Sequence, residues 1–192
     1  MPSTVIISVP MVLSCAIFLL FFSFIDRPEQ ATNGLTLKGI GFADSGVYPK
    51  EYTCDSTGIS PALQWDGIPK GIAGYVLTMH HLDPTGKRHV YWVVYNIPAS
   101  VYKLPAGVTD IGSLGTNTVN RGNVYAPPCS KGPGPKHYVL TLYAVNKIIT
   151  PAEDKRDITM DVVMREIEKD KIDSAVLSVT YSRSPKTPIQ TP

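Results

Sequence analysis

Proline and glycine interrupt this sequence so often that long helices are excluded from most of it. The chain has 17 prolines and 15 glycines in 192 residues, and they cluster between apolar runs. Proline cannot continue a helix, and dipeptides rich in proline or glycine mark turns. The densest signals are Asp66-Gly67, Pro84-Thr85-Gly86, Pro105-Ala106-Gly107 and residues 127–135 (PPCSKGPGP). The pattern predicts short elements joined by many turns.

The apolar runs between these turns have the character of strands. Residues 75–81 alternate from side to side, and residues 90–97 form a continuous β-branched and aromatic run. Residues 138–145 and 175–181 have the same character. Alternation is typical of a strand with one buried face, and a continuous run is typical of a strand buried on both faces. These four segments are predicted strands.

One segment has the spacing of a helix. Met160, Val163, Met164 and Ile167 recur at i, i+3, i+4 and i+7, which is the spacing of one helix face. A helix is therefore predicted near residues 159–171, capped by Asp157 or Thr159. Since strands dominate and no β-α-β alternation is present, the predicted class is mainly β (α+β), a sandwich or large antiparallel sheet with a late peripheral helix.

Composition excludes several functional classes. Hydrophobic residues make up 43% of the chain, which is enough for a core and argues against disorder. The 18 Lys and Arg residues nearly balance the 16 Asp and Glu residues, so a nucleic-acid partner is not expected. The sequence contains no P-loop, glycine-rich dinucleotide turn, H-E-x-x-H or G-x-S-x-G motif. No cofactor is predicted.

The N-terminus precedes the globular part. Residues 4–25 are almost wholly apolar, and no charged side chain occurs before Asp26. About 20 apolar residues are enough to cross the hydrocarbon layer, so residues 1–25 are interpreted as a signal peptide or a membrane anchor, with both alternatives open. A linker at residues 26–34, a folded domain at 35–184 and a flexible tail at 185–192 are predicted to follow. The expected location is extracytoplasmic, either secreted or membrane-anchored.

The predicted export bears on the redox state of the two cysteines of the domain. Cys54 and Cys129 both lie in loops rich in Gly, Pro and Ser. In an oxidising compartment such a pair favours a disulfide. The alternative is two unpaired thiols.

Polar residues cluster at the ends of three predicted strands. His81 and Asp83 lie at the end of one strand, His89 and Tyr91 begin the next, and Lys136 and Tyr138 begin a third. These six residues are the candidate ligand-binding residues. If the strands are neighbours, these side chains converge on one small cavity whose imidazole, phenol and ammonium groups suit a phosphate or carboxylate. His137 is the alternative to Lys136 and Tyr138, because adjacent strand residues point to opposite faces.

Several stretches, in order, resemble the phosphatidylethanolamine-binding protein family, in its short bacterial and archaeal branch. The matching stretches are residues 52–55 (YTCD), 59–65 (ISPALQW), 67–69 (GIP), 92–98 (WVVYNIP), 104–107 (LPAG), 125–129 (YAPPC), 138–144 (YVLTLYA) and 179–183 (VTYSR). The resemblance covers roughly residues 35–183. It implies a large antiparallel sheet packed on a smaller one, with a small anion-binding pocket near a proline-rich loop. It also implies a ligand-binding and regulatory protein, in a family that includes kinase and protease inhibitors.

The resemblance also assigns pocket positions. The two aspartates of the family's Asp-Pro-Asp-x-Pro motif fall on His81 and Asp83, with one residue fewer between Asp83 and the proline. The two pocket histidines fall on Tyr91 and Lys136, and the pocket tyrosine falls on Tyr138. Replacement of the first carboxylate by an imidazole should favour anions and disfavour an ethanolamine ammonium group.

Three functions are compatible with these residues. The preferred one is an exported or membrane-tethered, non-catalytic domain that binds a small anion or a phospholipid head group, with residues 4–25 contacting the membrane. The second is an inhibitory domain that acts on a protein partner such as a protease. The third is a hydrolase with a metal held by His81, His89, His137 and Asp83.

Overall fold

A computed structural model describes residues 34–131, 134–150 and 157–183, all within the compact unit Thr32–Pro192. The predicted membrane segment, the linker up to residue 33 and the tail from residue 185 lie outside the described residues. Among the described helical residues, none belongs to a helix with the length and apolar character that a membrane crossing requires.

The described residues form nine strands, one short 3₁₀ turn and one α-helix. In chain order the elements are β1 (Thr36–Gly39), β2 (Gly46–Val47), the 3₁₀ turn (Lys50–Tyr52), β3 (Leu63–Asp66), β4 (Gly74–Leu82), β5 (Arg88–Pro98), β6 (Lys103–Leu104), β7 (Ser113–Leu114), β8 (Lys136–Val145), α1 (Met160–Glu166) and β9 (Lys171–Tyr181).

The strands form a small and a large sheet. The small sheet has the order β1-β3-β6, and the large sheet has the order β2-β9-β8-β4-β5-β7. Neighbours in both sheets are antiparallel, except for the short pairing of β2 with β9. All four predicted strands are confirmed, as β4, β5, β8 and β9, and so is the predicted class of a large sheet packed on a smaller one.

The main core lies between the two sheets. Leu63 and Trp65 of β3 are buried against residues of the large sheet that include Leu77 and Leu140. The rings of Trp65 and Tyr75 meet edge to face with centroids 5.3 Å apart. Because these side chains alternate along their strands, one face of each sheet supplies the packing.

A second core covers the opposite face of the large sheet. Val76 and Val93 pack there with Met160 and Val163 of α1. The sheet is therefore buried on both sides around β5, as its continuous apolar run predicts.

The helix is shorter than predicted. Thr159 is its N-cap, and the Thr159 side-chain oxygen accepts a hydrogen bond from the Val162 amide at 3.3 Å. Of the two predicted caps, the structure uses this one. The helix ends at Glu166 instead of near residue 171, because the chain turns there, with the Asp170 amide bonded to the Ile167 carbonyl at 3.0 Å, and enters β9.

A bulge in β5 determines the position of Tyr91, one of the candidate site residues. Met79 pairs with Trp92 and His80 pairs with Val90, so Tyr91 has no partner on β4. An extra residue in one strand bends it and redirects its side chains. Tyr91 and Trp92, although adjacent, both belong to the core between the sheets.

Candidate functional site

The polar ends of three inner strands lie together at one end of the large sheet. β4 lies between β5 and β8, and it is antiparallel to both. The C-terminal end of β4 therefore lies beside the N-terminal ends of β5 and β8. This is the arrangement on which the predicted site depends.

His81 lies on the central strand of these three, at this end of the sheet. Its side chain is buried, with the residue 7% exposed. Its Nδ1 lies 2.9 Å from the carbonyl oxygen of His137, so Nδ1 donates and Nε2 remains as the nitrogen for another partner. The His81 ring lies 5.4 Å from the Tyr138 ring and 6.2 Å, nearly parallel, from the His89 ring.

Two phenols lie beside His81. The rings of Tyr91 and Tyr138 meet edge to face with centroids 5.2 Å apart. Burial raises the pKa of Tyr138, and the neighbouring Tyr91 phenol raises it further. Burial likewise raises the pKa of Tyr91. Both groups therefore remain hydroxyl donors at physiological pH.

The Tyr138 hydroxyl is buried without a hydrogen-bond partner among the described residues. An unsatisfied buried donor costs about 1–3 kcal/mol. Seven other buried polar atoms among the described residues share this property, but Tyr138 is the one that belongs to the six candidate binding residues.

Asp83 organises the turn between β4 and β5. Its Oδ1 accepts hydrogen bonds from the Thr85 hydroxyl at 2.6 Å, the Thr85 amide at 2.9 Å and the Lys87 amide at 3.0 Å. Its Oδ2 lies 3.0 Å from His89 Nε2. The Thr85 hydroxyl and His89 hold the pKa of Asp83 well below its usual range. Asp83 is thus a carboxylate at physiological pH, and its acceptor oxygens are already engaged by this chain.

The start of β8 follows the alternation of a strand. Tyr138 is fully buried, Lys136 is half-buried and His137 is exposed. Of the two mutually exclusive sets, the structure therefore places Lys136 and Tyr138 on the site face. No described residue forms a hydrogen bond or ion pair with the Lys136 ammonium group. The binding roles assigned to the six candidate residues remain predictions.

His80 lies on the other face of β4. It is half-buried, and burial lowers the pKa of its imidazole, with the nearby Arg88 lowering it further. The hypothesis of a metal held by His81, His89, His137 and Asp83 requires all four side chains to converge. Within residues 34–131, 134–150 and 157–183, no three His, Cys, Asp or Glu side chains are grouped to hold a metal ion.

An aromatic cluster behind the site was missed by the sequence analysis. The Tyr125 hydroxyl donates to the Tyr52 carbonyl at 2.6 Å and lies 3.0 Å from the Tyr48 hydroxyl. The Tyr125 ring packs edge to face on Trp92 at 5.6 Å. Since the Ala126 amide also bonds to the Tyr91 carbonyl at 2.8 Å, the start of the proline-rich loop is fixed against the bulge that orients Tyr91. Tyr125 belongs to a motif of the family resemblance, which was the available signal.

The disulfide favoured by the sequence is present, but the polar cluster beside it was missed. Cys54 and Cys129 form a disulfide with their Cα atoms 5.4 Å apart. Next to it, Arg183 Nε donates to both oxygens of Asp55 at 2.8 Å, and the Tyr181 hydroxyl also donates to Asp55. The hydrogen bonds from Arg183 and Tyr181 lower the pKa of Asp55 to about 2. Asp55 and Arg183 are 128 residues apart in sequence, which is why local patterns do not pair them.

Comparison with known proteins agrees with this architecture. Similar proteins include a UPF0098 protein of Methanothermobacter thermautotrophicus, 34% identical over 131 residues that cover 65% of this chain and 86% of the relative. A UPF0098 protein of Chlamydia trachomatis is 30% identical over 155 residues, covering 78% of this chain and 99% of the relative. A Mycobacterium tuberculosis protein named as a proposed lipoprotein, LppC, is 30% identical over 117 residues, covering 60% of this chain and 58% of the relative.

Solved structures are similar over the same region. A phosphatidylethanolamine-binding protein homologue of Chlamydia trachomatis superposes with a TM-score of 0.72 at 25% identity, covering 79% of this chain and 99% of that chain. Escherichia coli YbcL superposes with a TM-score of 0.69 at 22% identity, covering 78% and 99%. The model of the family described as phosphatidylethanolamine-binding protein matches residues 38–182. The chain therefore belongs to the phosphatidylethanolamine-binding protein family.

Proposed function

We propose that the strand-end site binds a small anionic group, such as a phosphate or the phosphate of a lipid head group, without catalysing a reaction on it. The observation that carries the proposal is the Tyr138 hydroxyl, which is buried, protonated and unpaired among the described residues. A ligand oxygen would satisfy this donor.

The neighbouring groups support an anion rather than a cation. The Tyr91 hydroxyl and the Lys136 ammonium group lie at the same end of the sheet and are potential donors. The carboxylate of Asp83 is already occupied by His89, Thr85 and Lys87. It therefore has little capacity left for a ligand ammonium group. We propose that inorganic phosphate binds at least as tightly as phosphoethanolamine.

Isothermal titration of the full chain in detergent micelles tests this proposal. Inorganic phosphate and phosphoethanolamine are the probes. Tyr138→Phe should weaken binding of both about tenfold, the loss expected for one hydrogen bond to a charged group. Tyr143→Phe, on the same strand but packed on the other core, is the matched control and should leave binding unchanged.

A second pair of variants tests the role of charge. Lys136→Gln should weaken phosphate binding, and the loss should shrink as salt is added, because exposed charges are screened. Lys103→Gln, an exposed lysine on β6, is the control. The proposal fails if neither probe binds, or if Tyr138→Phe binds both probes like the wild type.

The source of the anion is decided by comparing phosphate with vesicles. If the ligand is a lipid head group, vesicles of an anionic phospholipid should compete with phosphate, and vesicles of phosphatidylcholine should not. If the ligand is free phosphate, neither vesicle should compete.

We also propose that the protein is exported and is either secreted or tethered to the membrane. The apolar residues 4–25, the disulfide and the similarity to a protein named as a lipoprotein support this location. Cell fractionation with alkylation of free thiols tests it. An exported protein should be found outside the cytoplasm with Cys54 and Cys129 protected. Recovery in the cytoplasm with both thiols alkylated would contradict the proposal.

A further inference from the structure

The disulfide joins two loops and is partly accessible. Cys54 follows the 3₁₀ turn, and Cys129 lies in the proline-rich loop that leads to β8. Both residues are half-buried. A backbone hydrogen bond, from the Cys54 amide to the Pro128 carbonyl at 3.1 Å, links the loops beside the disulfide. Neither cysteine is completely shielded from solvent, as a reaction with a small thiol requires.

The two sulfur atoms have different surroundings. Arg183 Nη2 lies 3.2 Å from Cys54 Sγ. The part of the chain that the structure describes provides no comparable donor to Cys129 Sγ. The disulfide is thus electrostatically asymmetric.

Arg183 is held in this position by Asp55. The guanidinium forms a fork with the carboxylate, with Nε 2.8 Å from each oxygen and Nη2 2.6 Å from Oδ1. The Tyr181 hydroxyl donates to the same carboxylate. A planar guanidinium bound by two of its nitrogens has a fixed orientation. The Nη2 group therefore remains directed towards Cys54.

This asymmetry determines how the disulfide would exchange. In thiol–disulfide exchange a thiolate attacks one sulfur and the other sulfur leaves as a thiolate, and the reaction is faster when the leaving thiolate is more stable. A guanidinium beside a sulfur stabilises its thiolate. Cys54 is therefore the better leaving group, and Cys129 is the better target.

We propose that the Cys54–Cys129 disulfide is a modification site at which a small monothiol attaches to Cys129 while Arg183 stabilises Cys54 as the departing thiolate. The attacking thiolate forms a new sulfur–sulfur bond with Cys129 Sγ, and the bond between the two cysteines breaks. The electron pair of that bond remains on Cys54 Sγ. Attack of Cys54 on the mixed disulfide reverses the step and releases the monothiol. The step removes the covalent tether between the proline-rich loop and the turn after Tyr52.

The site can be tested with glutathione on the oxidised full chain. After a short reaction, acid quenching and proteolysis, mass spectrometry locates the adduct. At least about fivefold more adduct is expected on Cys129 than on Cys54, as a leaving-group effect. Equal labelling, a preference for Cys54 or the absence of any adduct would overturn the proposal.

Variants of arginine separate the role of Arg183 from a general effect. Arg183→Met should lower the exchange rate about fivefold and make the two cysteines more equally labelled. Arg88→Met removes another exposed arginine–aspartate pair, with Asp161, and should change neither result. An unchanged preference in Arg183→Met would overturn the role of this residue.

A second measurement keeps the test valid if Arg183→Met does not fold. In Cys129→Ser the remaining Cys54 lies beside Arg183, and in Cys54→Ser the remaining Cys129 does not. Iodoacetamide reacts with thiolates, so at mildly acidic pH Cys54 should react faster than Cys129. Equal rates would contradict the proposed stabilisation of the Cys54 thiolate.

Discussion

His89 and Asp83 face each other across the β4–β5 hairpin, with His89 Nε2 3.0 Å from Asp83 Oδ2. The other carboxylate oxygen of Asp83 accepts the hydrogen bonds that close the turn. One side chain therefore fixes both the hairpin and the orientation of an imidazole at the candidate site. These contacts give Asp83 a role in the turn that does not depend on a ligand.

Asp83→Asn should destabilise the protein most strongly at neutral pH. Because the pKa of Asp83 is lowered in the folded state, its stabilising effect is complete above the unfolded pKa, about 4. The effect is lost as the pH falls through the lower, folded pKa. Urea unfolding of variant and wild type from pH 7 to pH 2 should show a difference that shrinks at the acid end. Asp110→Asn, at an exposed loop position, should show little difference at any pH.

Asp55→Asn should remove part of the acid sensitivity of the wild type. The folded pKa of Asp55 is about 2, so its interactions with Arg183 and Tyr181 stabilise the fold fully above about pH 4. They are lost as the pH falls towards 2. The plot of unfolding free energy against pH should therefore be less steep in the variant over this interval. An identical slope in variant and wild type would show that the Asp55–Arg183 contact contributes nothing.

Tyr138→Phe should stabilise the free protein while weakening ligand binding. The variant removes a buried hydroxyl that no described residue satisfies, and relief of such a group is worth about 1 kcal/mol. Tyr125→Phe should have the opposite effect, a loss of about 1 kcal/mol, because its hydroxyl bonds to the Tyr52 carbonyl and to Tyr48. Urea unfolding without phosphate measures both. Destabilisation by Tyr138→Phe would mean that its hydroxyl already has a partner.

Leu77→Ala should destabilise the protein by about 2–5 kcal/mol, as expected for a leucine truncated in a core. Leu77 is 0% exposed and packs between the two sheets. Leu82, on the same strand, is 53% exposed, so Leu82→Ala should stay within about 0.5 kcal/mol of the wild type. Chemical denaturation provides both values. Similar losses at the two positions would contradict the described packing of β4.

Thr159→Ala should cost about 1 kcal/mol through loss of the helix cap. The Thr159 side-chain oxygen accepts the hydrogen bond from the Val162 amide. Thr159→Ser keeps an oxygen at the same position and should restore most of the stability. Thermal unfolding of the two variants distinguishes the cap from a packing effect of the threonine methyl group. If serine is as destabilising as alanine, the methyl group is responsible.

Regular patterns predicted the long elements well. Period-two alternation in β4 and the continuous apolar runs of β5 and β8 indicated strands that the structure contains. The two-residue strands β2, β6 and β7 were not predictable, because two residues carry no period. The length of the helix was overestimated because residues 168–170 are all polar and include no glycine or proline, so the sequence carries no signal for the helix end at this point.

The candidate site was predictable only in part. The alternation of Lys136, His137 and Tyr138 follows from local pattern and is found in the structure. The adjacency of the three strands was a condition of the prediction, and only the sheet order supplies it. The bulge that leaves Tyr91 unpaired depends on its pairing with β4, which no local pattern contains. The Asp55–Arg183 contact joins two distant loops, and it required the complete three-dimensional fold to be seen.

The position of β9 has a consequence for biosynthesis. This last strand lies between β2 and β8, and its pairing with β2 joins Gly46 to Val179. During vectorial synthesis, β2 has no sheet partner until nearly the whole domain has been made, and contacts of such long sequence separation slow folding. Premature termination before residue 171 would leave β2 and β8 each with an unpaired edge. Such nascent chains should depend on chaperones to avoid edge-to-edge aggregation.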